Sequence, residues 1–216
     1  MNCIVTAGPS YEKLDTVRRL TNQSTGRLGI ELANFLTARG HRVTLLVGEQ
    51  SSYPGARGAA RVESFATAGD LHDRLEALAD QPVDAVCHVA AVGDFMFGKI
   101  WQRSSQGDLS EIKAGKIATH HGTLLAELIP TPKIIAGLRD WFAKARIIGW
   151  KYEVDGKRAG AIRQAERQIS ECLTDACVAN GPAYGEGFGL VGSNGRTTHL
   201  ADAAALYEAI DKLIRA

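Results

Sequence analysis

Short apolar runs rich in β-branched residues alternate along the chain with segments in which apolar residues recur at helical spacing. This alternation is typical of a mostly parallel sheet that carries helices on both faces. The runs that predict strands are residues 3–6, 42–47, 61–65, 85–89, 146–150 and 176–179. The segments that predict helices are residues 26–39, 70–78, 132–142, 159–172 and 202–214. We therefore predict one α/β domain over residues 1–216, with a Rossmann-like doubly wound, mostly parallel sheet.

Residues 95–122 interrupt this pattern. They include the polar sequence WQRSSQGDLSEIKAGKIATHHG, which is longer than an ordinary connection in a compact domain. Segments of this kind are usually lids or binding loops. We predict a long lysine-bearing lid loop here, with further short strands possible at residues 124–128 and 188–191.

Composition and charge exclude several classes of protein. The 216 residues, 45% hydrophobic and 23% charged, are enough for one buried core and unlike a disordered, collagen-like or coiled-coil chain. Lysine and arginine number 25 against 24 aspartate and glutamate, so the net charge is only +1. Such a chain lacks the overall positive field that recruits nucleic acid or anionic membranes, and we expect neither partner.

The compartment can be predicted from the apolar runs and the cysteines. No run approaches the roughly 18 apolar residues of a membrane span, and the start MNCIVTAGPS has no basic region or cleavage site. We expect a cytoplasmic protein. The cysteines Cys3, Cys87, Cys172 and Cys177 are scattered through apolar segments, which predicts buried reduced thiols and no disulfide or zinc site.

The segment after the first strand carries candidate anion-binding residues. It contains neither G-x-G-x-x-G nor G-x-x-x-x-G-K-[ST], but Ser24, Thr25 and Gly26 lead directly into a predicted helix. Free N–H groups and the positive end of a helix dipole suit a phosphate. The alternative is that these residues only cap the helix and ease its packing, which is the commoner use of such residues.

Small residues follow the fourth predicted strand. Ala90 and Ala91 would let a flat base or a ribose lie against the backbone, and Asp94 could accept hydrogen bonds from ribose hydroxyls. The alternative is a strand that ends in a turn with an exposed aspartate. This segment is therefore a candidate nucleotide site on position alone.

Lysines and histidines occur in the predicted lid loop. Lys113 and Lys116 flank an Ala-Gly pair, and a lysine on a mobile loop can fold over phosphates as a point charge. Most surface lysines merely solvate a loop. His120 and His121 have no acidic or thiol partner at ligand spacing, so we expect them to face solvent and predict no metal site.

Taken together, these segments resemble the phosphopantothenoylcysteine synthetase family. TAGPSYEKLDTVRRLTNQSTGRLGIELA is similar to the family's first segment, and AAVGDF, GWKYEVD, VAN and GFG are similar to later ones, in the same order and over nearly the whole chain. KAGK stands where the family has a K-x-K-K loop, with Gly115 in place of a middle lysine. The resemblance implies the synthetase part alone, without the flavin-dependent decarboxylase that is fused to many members.

The resemblance implies a ligase of coenzyme A biosynthesis. Phosphopantothenate would be joined to cysteine through an acyl-nucleotide formed from CTP or ATP with Mg²⁺, in a homodimer. The residues matched to catalytic positions are Asn22, Arg18 and Lys113. Those matched to nucleotide binding are Gly8, Ser24, Thr25, Gly26, Ala90, Ala91, Asp94, Lys116 and Asn180.

Departures from the family pattern keep two other functions open. The spacing from Asp94 to Lys113 is long, Asn180 is followed by Gly181, and Gly93 and Gly115 loosen segments that should hold nucleotide. A diverged homologue could bind nucleotide and act on other substrates. A nicotinamide- or flavin-binding oxidoreductase could use the same kind of sheet, although a glycine-rich turn directly after the first strand is missing.

Overall fold

The computed structural model describes residues 1–216 except residues 119 and 121. In chain order the strands are β1 (Asn2–Ala7), β2 (Tyr11–Lys13), β3 (Arg19–Thr21), β4 (Arg42–Gly48), β5 (Arg61–Phe65), β6 (Ala85–His88), β7 (Phe95–Arg103), β8 (Leu109–Glu111), β9 (Leu124–Pro130), β10 (Arg146–Tyr152), β11 (Ala176–Asn180), β12 (Phe188–Gly192) and β13 (Thr197–Leu200). The helices are α1 (Arg27–Ala38), α2 (Ala68–Glu76), α3 (Ile134–Trp141), α4 (Arg158–Cys172) and α5 (Ala203–Arg215).

An eight-stranded sheet forms the centre of the molecule, in the order β13-β12-β11-β10-β6-β1-β4-β5. The six strands from β11 to β5 are parallel, and β12 and β13 add an antiparallel edge. Buried clusters lie on both faces, one including α1 and α5, the other including α2 and α3. β6 is buried along its whole length, as expected when helices cover both faces of a sheet. The predicted doubly wound α/β fold is confirmed.

The predicted strands and helices occur in the structure with small shifts at their ends. The predicted helix at residues 70–78 begins earlier, because Thr67 accepts a hydrogen bond from the Asp70 N–H and caps it. The two further strands considered at residues 124–128 and 188–191 are present as β9 and β12.

Residues 95–122 differ from the prediction of a loop. β7 and β8 pair with each other, β7 pairs with β9, and the three form a separate antiparallel sheet, which we call the arm. Most of its residues are exposed, although β7 and β9 carry many apolar residues, and only β8 is mainly polar. A shift of register between Phe97 and Ile100 further breaks the alternation. The lysines lie in the connection between β8 and β9.

The expectations for the cysteines, the membrane spans and the histidines can be compared with the structure. All four cysteines are buried and free, as predicted. Among the described residues, none of the helices is both long and apolar enough to span a bilayer. His120 is exposed, as expected, whereas His121 lies outside the described residues.

Candidate functional site

A cavity of about 830 Å³ lies at the carboxyl ends of β1, β6, β10 and β11. In open parallel sheets this edge is where ligands bind, because the loops that follow the strands meet there. Nine of the twelve predicted site residues line it, namely Gly8, Asn22, Ser24, Thr25, Gly26, Ala90, Ala91, Asp94 and Asn180. The structure therefore gathers most of the predicted site into one place.

The start of α1 forms one wall of the cavity. Gly26 is the N-cap, has a φ of 80° and makes no side-chain cap, and the first turn carries no acidic residue. A Cβ at position 26 would collide with Ser51 Oγ. Thr25 Oγ1 accepts from the Arg27 N–H at 3.3 Å, which helps to shape the turn that enters the helix. The residues of the first turn thus present the positive end of α1 to the cavity, as an anion requires.

The segment after β6 forms the floor and is tied to β1. The Ala90 N–H donates to Thr6 Oγ1 at 3.0 Å, and the Ala91 N–H donates to the Gly8 carbonyl at 3.0 Å. The same Thr6 hydroxyl lies 3.1 Å from His88 Nδ1. Burial lowers the pKa of His88 to about 4, so the imidazole is neutral at physiological pH. The floor is therefore a fixed backbone surface braced by an uncharged polar network.

Asn22 joins a hairpin to this floor. β2 and β3 pair antiparallel, and Asn22 follows β3 directly. Its Nδ2 donates to the carbonyls of Ala91 at 3.3 Å and Val92 at 3.0 Å. Asn22 Oδ1 has no hydrogen bond within the described part of the chain. The side chain thus holds the hairpin against the floor and leaves an acceptor for a ligand.

Asp94 is exposed, and the residue before it, Gly93, is hydrogen-bonded through both its N–H and its carbonyl. The Gly93 N–H donates to Ser10 Oγ at 2.8 Å, and the Thr131 hydroxyl donates to the Gly93 carbonyl at 2.6 Å. A Cβ at position 93 would meet Ser10 Oγ at 3.5 Å, an ordinary contact. Gly93 is therefore held in place despite having no side chain of its own.

The sequence analysis missed the part of the cavity that is formed by the end of β10 and by the residue after it. Trp150, Lys151, Tyr152 and Glu153 line the cavity, and so does Arg27. The sequence did contain a signal for them. Trp150 is the last residue of a predicted strand, and residues 150–153 belong to the GWKYEVD segment that is similar to the family. Applying the rule on strand ends to this strand would have found them.

Arg18, Lys113 and Lys116 do not line the cavity, which separates them from the other nine predicted residues. Arg18 pairs with Asp15 and donates to the Ile117 carbonyl at 2.6 Å. The hydrogen bonds that Asp15 accepts, chiefly from the Arg18 guanidinium and then from backbone N–H groups, lower its pKa well below the usual range. Arg18 thus clamps the lysine-bearing connection to the turn between β2 and β3.

Both lysines of this connection are exposed. Lys113 is 82% exposed, and its Nζ lies 3.8 Å from Glu111 Oε1. The Gly115 carbonyl accepts from the Thr16 N–H at 2.9 Å, which adds a second tie to the hairpin. Within one chain, the lysines therefore sit on a fastened connection and outside the cavity.

The carboxylates near the cavity bear on metal binding. Among the described residues, the one group of three potential ligands within reach of each other is His72, Asp73 and Glu76, on α2 and outside the cavity. The cavity itself is lined by two carboxylates, Asp94 and Glu153. Mg²⁺ is usually held by one or two carboxylates together with substrate phosphates. The donors present suit a magnesium ion that arrives with a triphosphate.

Comparison with known proteins identifies the family and supports the fold. Residues 1–212 match the family described as DNA/pantothenate metabolism flavoprotein C-terminal domain. The coenzyme A biosynthesis bifunctional protein CoaBC of Thermococcus kodakarensis is 32% identical over 181 residues, which are 82% of this chain and 40% of that protein. The chain thus spans about two fifths of the length of this relative.

Solved structures show the same fold. A DNA/pantothenate metabolism flavoprotein from Streptococcus pneumoniae superposes with a TM-score of 0.84 at 22% identity, covering 100% of this chain and 98% of that one. A Cab2 mutant in complex with phosphopantothenate-cysteine gives a TM-score of 0.74 at 16% identity, covering 99% of this chain and 85% of that one. The family resemblance read from the sequence is confirmed, and the chain belongs to the DNA/pantothenate metabolism flavoprotein C-terminal domain family.

Proposed function

We propose that this chain is a phosphopantothenate–cysteine ligase that works through an acyl-nucleotide formed from CTP or ATP. The observation that carries the proposal is the convergence of nine family-matched residues on one cavity at the carboxyl edge of the sheet. The relative from Thermococcus kodakarensis, which is named as a coenzyme A biosynthesis protein, supports the pathway. The fold neighbour that holds phosphopantothenate-cysteine supports the substrate class.

The reaction has two displacements. In the first, a carboxylate oxygen of phosphopantothenate attacks the α-phosphorus of the nucleotide, the bond to pyrophosphate breaks, and an acyl-nucleotide forms. In the second, the amine of cysteine attacks the acyl carbon, loses a proton, and displaces the nucleoside monophosphate. Both steps build negative charge on oxygens, so positioned N–H donors lower the barrier.

Different residues of the cavity would bind the phosphate, support the nucleotide and orient the amine. The first turn of α1, entered through Gly26, would bind a phosphate group through its N–H donors. The fixed backbone at Ala90 and Ala91 would support the nucleotide. Asn22 keeps its Nδ2 on the floor, so its Oδ1 is the atom available to orient an N–H of the attacking amine. The chain thereby brings the reactants together and holds them in the geometry for attack.

Mg²⁺ would be held by the triphosphate together with the carboxylates of Asp94 and Glu153, which line the cavity. When bound, it neutralises part of the charge on the triphosphate oxygens. The chain's own contribution is the pair of carboxylates and the α1 terminus, which together would hold the magnesium–nucleotide complex against the sheet edge.

A homodimer would bring the lysines to a cavity. Large apolar side chains are exposed on β7 and β9 of the arm, namely Phe95, Met96, Leu125, Leu128 and Ile129. A second copy would cover part of this exposed apolar surface, and the fastened connection of one copy could then reach the cavity of the other. Sedimentation of the wild type and of Leu128→Lys checks the dimer. Mixing Lys113→Gln with Asn22→Asp checks the shared site, because one intact site should form in a mixed dimer.

Pyrophosphate release tests the activity directly. The purified protein is supplied with Mg²⁺, phosphopantothenate and cysteine, with CTP and ATP compared and each component omitted in turn. We expect release to require phosphopantothenate and one of the two nucleotides, and the product to require cysteine. Absence of release with either nucleotide would contradict the ligase and favour a diverged homologue that acts on other substrates.

A further inference from the structure

A buried carboxylate lies between the β2–β3 hairpin and the connection that carries the arm lysines. Asp15 is in the turn of the hairpin, and its side chain has no exposed surface. Its Oδ1 accepts from the N–H groups of Val17 at 2.9 Å and of Arg18 at 2.8 Å. Its Oδ2 accepts from Arg18 Nε at 2.9 Å, from a second nitrogen of that guanidinium, and from the Ile117 N–H at 3.2 Å. One carboxylate therefore joins residues that are 102 positions apart.

Arg18 binds the connection at the same residue. Its guanidinium donates to the Ile117 carbonyl at 2.6 Å, so both backbone polar groups of Ile117 are held by the ion pair. Ile117 is 3% exposed, whereas Lys116 directly before it is exposed. Hydrogen bonds that involve a charged group are about twice as strong as neutral ones. We call the ion pair of Asp15 and Arg18, together with Ile117, the latch.

The latch lies outside the cavity but on the hairpin that leads to it. Neither Asp15 nor Arg18 lines the cavity. At the other end of the hairpin, Asn22 donates to the carbonyls of Ala91 and Val92 in the floor. The hairpin is thus fixed to the floor at one end and to the lysine-bearing connection at its turn. The latch can act on a ligand only through the segments that it holds.

We propose that Asp15 is a positioning residue of the ligase and that Arg18 acts through it, so that the latch sets the position of Lys113 and Lys116 relative to the triphosphate. The proposal rests on the function proposed above, in which these lysines act at a cavity. The family resemblance instead matched Arg18 to a catalytic position. The two roles differ in their kinetics, because a residue that only holds another group has no further effect once its partner in the latch is gone.

Asp15→Asn keeps the volume of the side chain and removes the charge that Arg18 and the Ile117 N–H bind. If the proposal holds, the connection opens more often, and amide hydrogen exchange of residues 113–118 becomes about tenfold faster by mass spectrometry. The KM for the preferred nucleotide, CTP or ATP, rises about five- to tenfold, because only a fraction of the molecules hold the lysines in place. The KM for cysteine stays unchanged, since cysteine enters in the second displacement.

A double-mutant cycle separates positioning by Arg18 from contact with a reactant. Arg18→Gln should raise the nucleotide KM by a similar factor, and the double variant with Asp15→Asn should be no worse than either single variant. Effects that multiply in the double variant would show that Arg18 also touches a reactant, which would overturn its assignment. If Asp15→Asn does not fold, Arg18→Gln carries the exchange and KM measurements alone, because the Arg18 side chain is 42% exposed and tolerates truncation better.

Asp175→Asn is the matched control. Its carboxylate accepts from an Arg139 guanidinium nitrogen at 2.7 Å and from the Ile147 N–H at 2.8 Å, before the start of β11 and outside the cavity. The variant loses a comparable ion pair, so the unfolding temperature should fall. The exchange of residues 113–118 and the nucleotide KM should both stay at the wild-type values.

Two further outcomes would contradict the proposal. Unchanged exchange of residues 113–118 in Asp15→Asn would show that Asp15 does not hold the connection. Faster exchange with an unchanged nucleotide KM would show that the position of the connection does not matter for the reaction. If the wild type itself releases no pyrophosphate, the proposed function fails, and the role in the reaction fails with it. The exchange measurement needs no substrate and distinguishes this result from a failure of the latch.

Discussion

The cavity wall and the arm are built in opposite ways. The wall follows buried parallel strands, and its segments are hydrogen-bonded to one another through Thr6, Gly8 and Asn22. The arm is a small antiparallel sheet with most of its residues exposed, and Lys113 in the connection between β8 and β9 makes a loose ion pair with Glu111, at 3.8 Å. The comparison teaches that the rigid cavity wall sets the geometry of binding. The positive charge of the arm can reach a ligand in the cavity only if another part of the assembly, such as a second copy of the chain, brings the two together.

The largest effect should come from Asn22→Asp, which breaks the hydrogen bonds between the β2–β3 hairpin and the cavity wall. The carboxylate has no N–H for the carbonyls of Ala91 and Val92 and repels both of them. Loss of one positioned amide at a reacting centre typically costs on the order of 10²–10³ in turnover, about 2.7–4 kcal/mol. Pyrophosphate release and product formation measure this loss.

Asn34→Asp is the matched control for that change. Asn34 Nδ2 donates to the Ala56 carbonyl at 2.7 Å, outside the cavity, so the variant loses a comparable hydrogen bond. We expect a similar loss of stability and normal turnover. Normal turnover by Asn22→Asp would show that the junction is structural only.

The next effect concerns the pH range in which the floor of the wall is stable. The pKa of His88 is lowered to about 4 by burial, whereas that of an unfolded histidine is about 6.5. Between these values the unfolded chain binds a proton that the folded chain excludes, so stability falls as the pH falls from about 6.5 to 4. The shift corresponds to about 3 kcal/mol in total.

Urea unfolding at pH 7, 5.5 and 4.5 checks this dependence against His88→Asn, which keeps a polar atom near Thr6 and cannot titrate in this range. The difference in unfolding free energy between wild type and variant should shift in favour of the variant as the pH falls. Parallel pH profiles for the two proteins would mean that His88 is already hydrated in the folded state.

Gly26→Ala should have a smaller effect, and it can be separated into two causes. Gly26 has a positive φ, and an added Cβ would also collide with Ser51. Gly40 has a φ of 84° with nothing within 4 Å of an added Cβ, so Gly40→Ala measures the backbone cost alone, about 1 kcal/mol. We expect Gly26→Ala to lose more stability than Gly40→Ala, by urea unfolding, and to be the one that weakens nucleotide binding. Equal losses with unchanged binding in both would remove the α1 terminus from the site.

The wall could be predicted from the sequence because its causes are local. Continuous apolar runs mark the buried strands, and the carboxyl ends of parallel strands meet at one edge. Residues as distant in the chain as Gly8, Ala90 and Asn180 therefore fall into one cavity once the strands are known. Trp150 was missed although the same rule applies to it, because a tryptophan that ends a strand is read first as core.

The arm could not be predicted because its strands are exposed, and the burial signal that marks the central strands is absent there. Exposed strands need no apolar period, so β8 and the polar end of β7 at Gln102 and Arg103 look like loop in the sequence. The role of Arg18 depends on its contact with Ile117, 99 positions further along the chain, and no local spacing reports such a pairing. The family match located these residues, but it could not show that they are fastened to each other and not to the cavity.

The smallest effect should come from restoring a lysine to the arm. Gly115 stands where the family often has a lysine, and an added Cβ would meet Thr16 Cγ2 at 3.7 Å, an ordinary contact. Gly115→Lys should therefore fold as the wild type does and tighten triphosphate binding by a few-fold, because one more exposed charge near the ligand adds little in water. Ser105→Lys adds the same charge at the far turn of the arm and should leave binding unchanged. Equal tightening by both variants would mean that the arm acts through its overall charge, and that the connection between β8 and β9 has no defined place at the triphosphate.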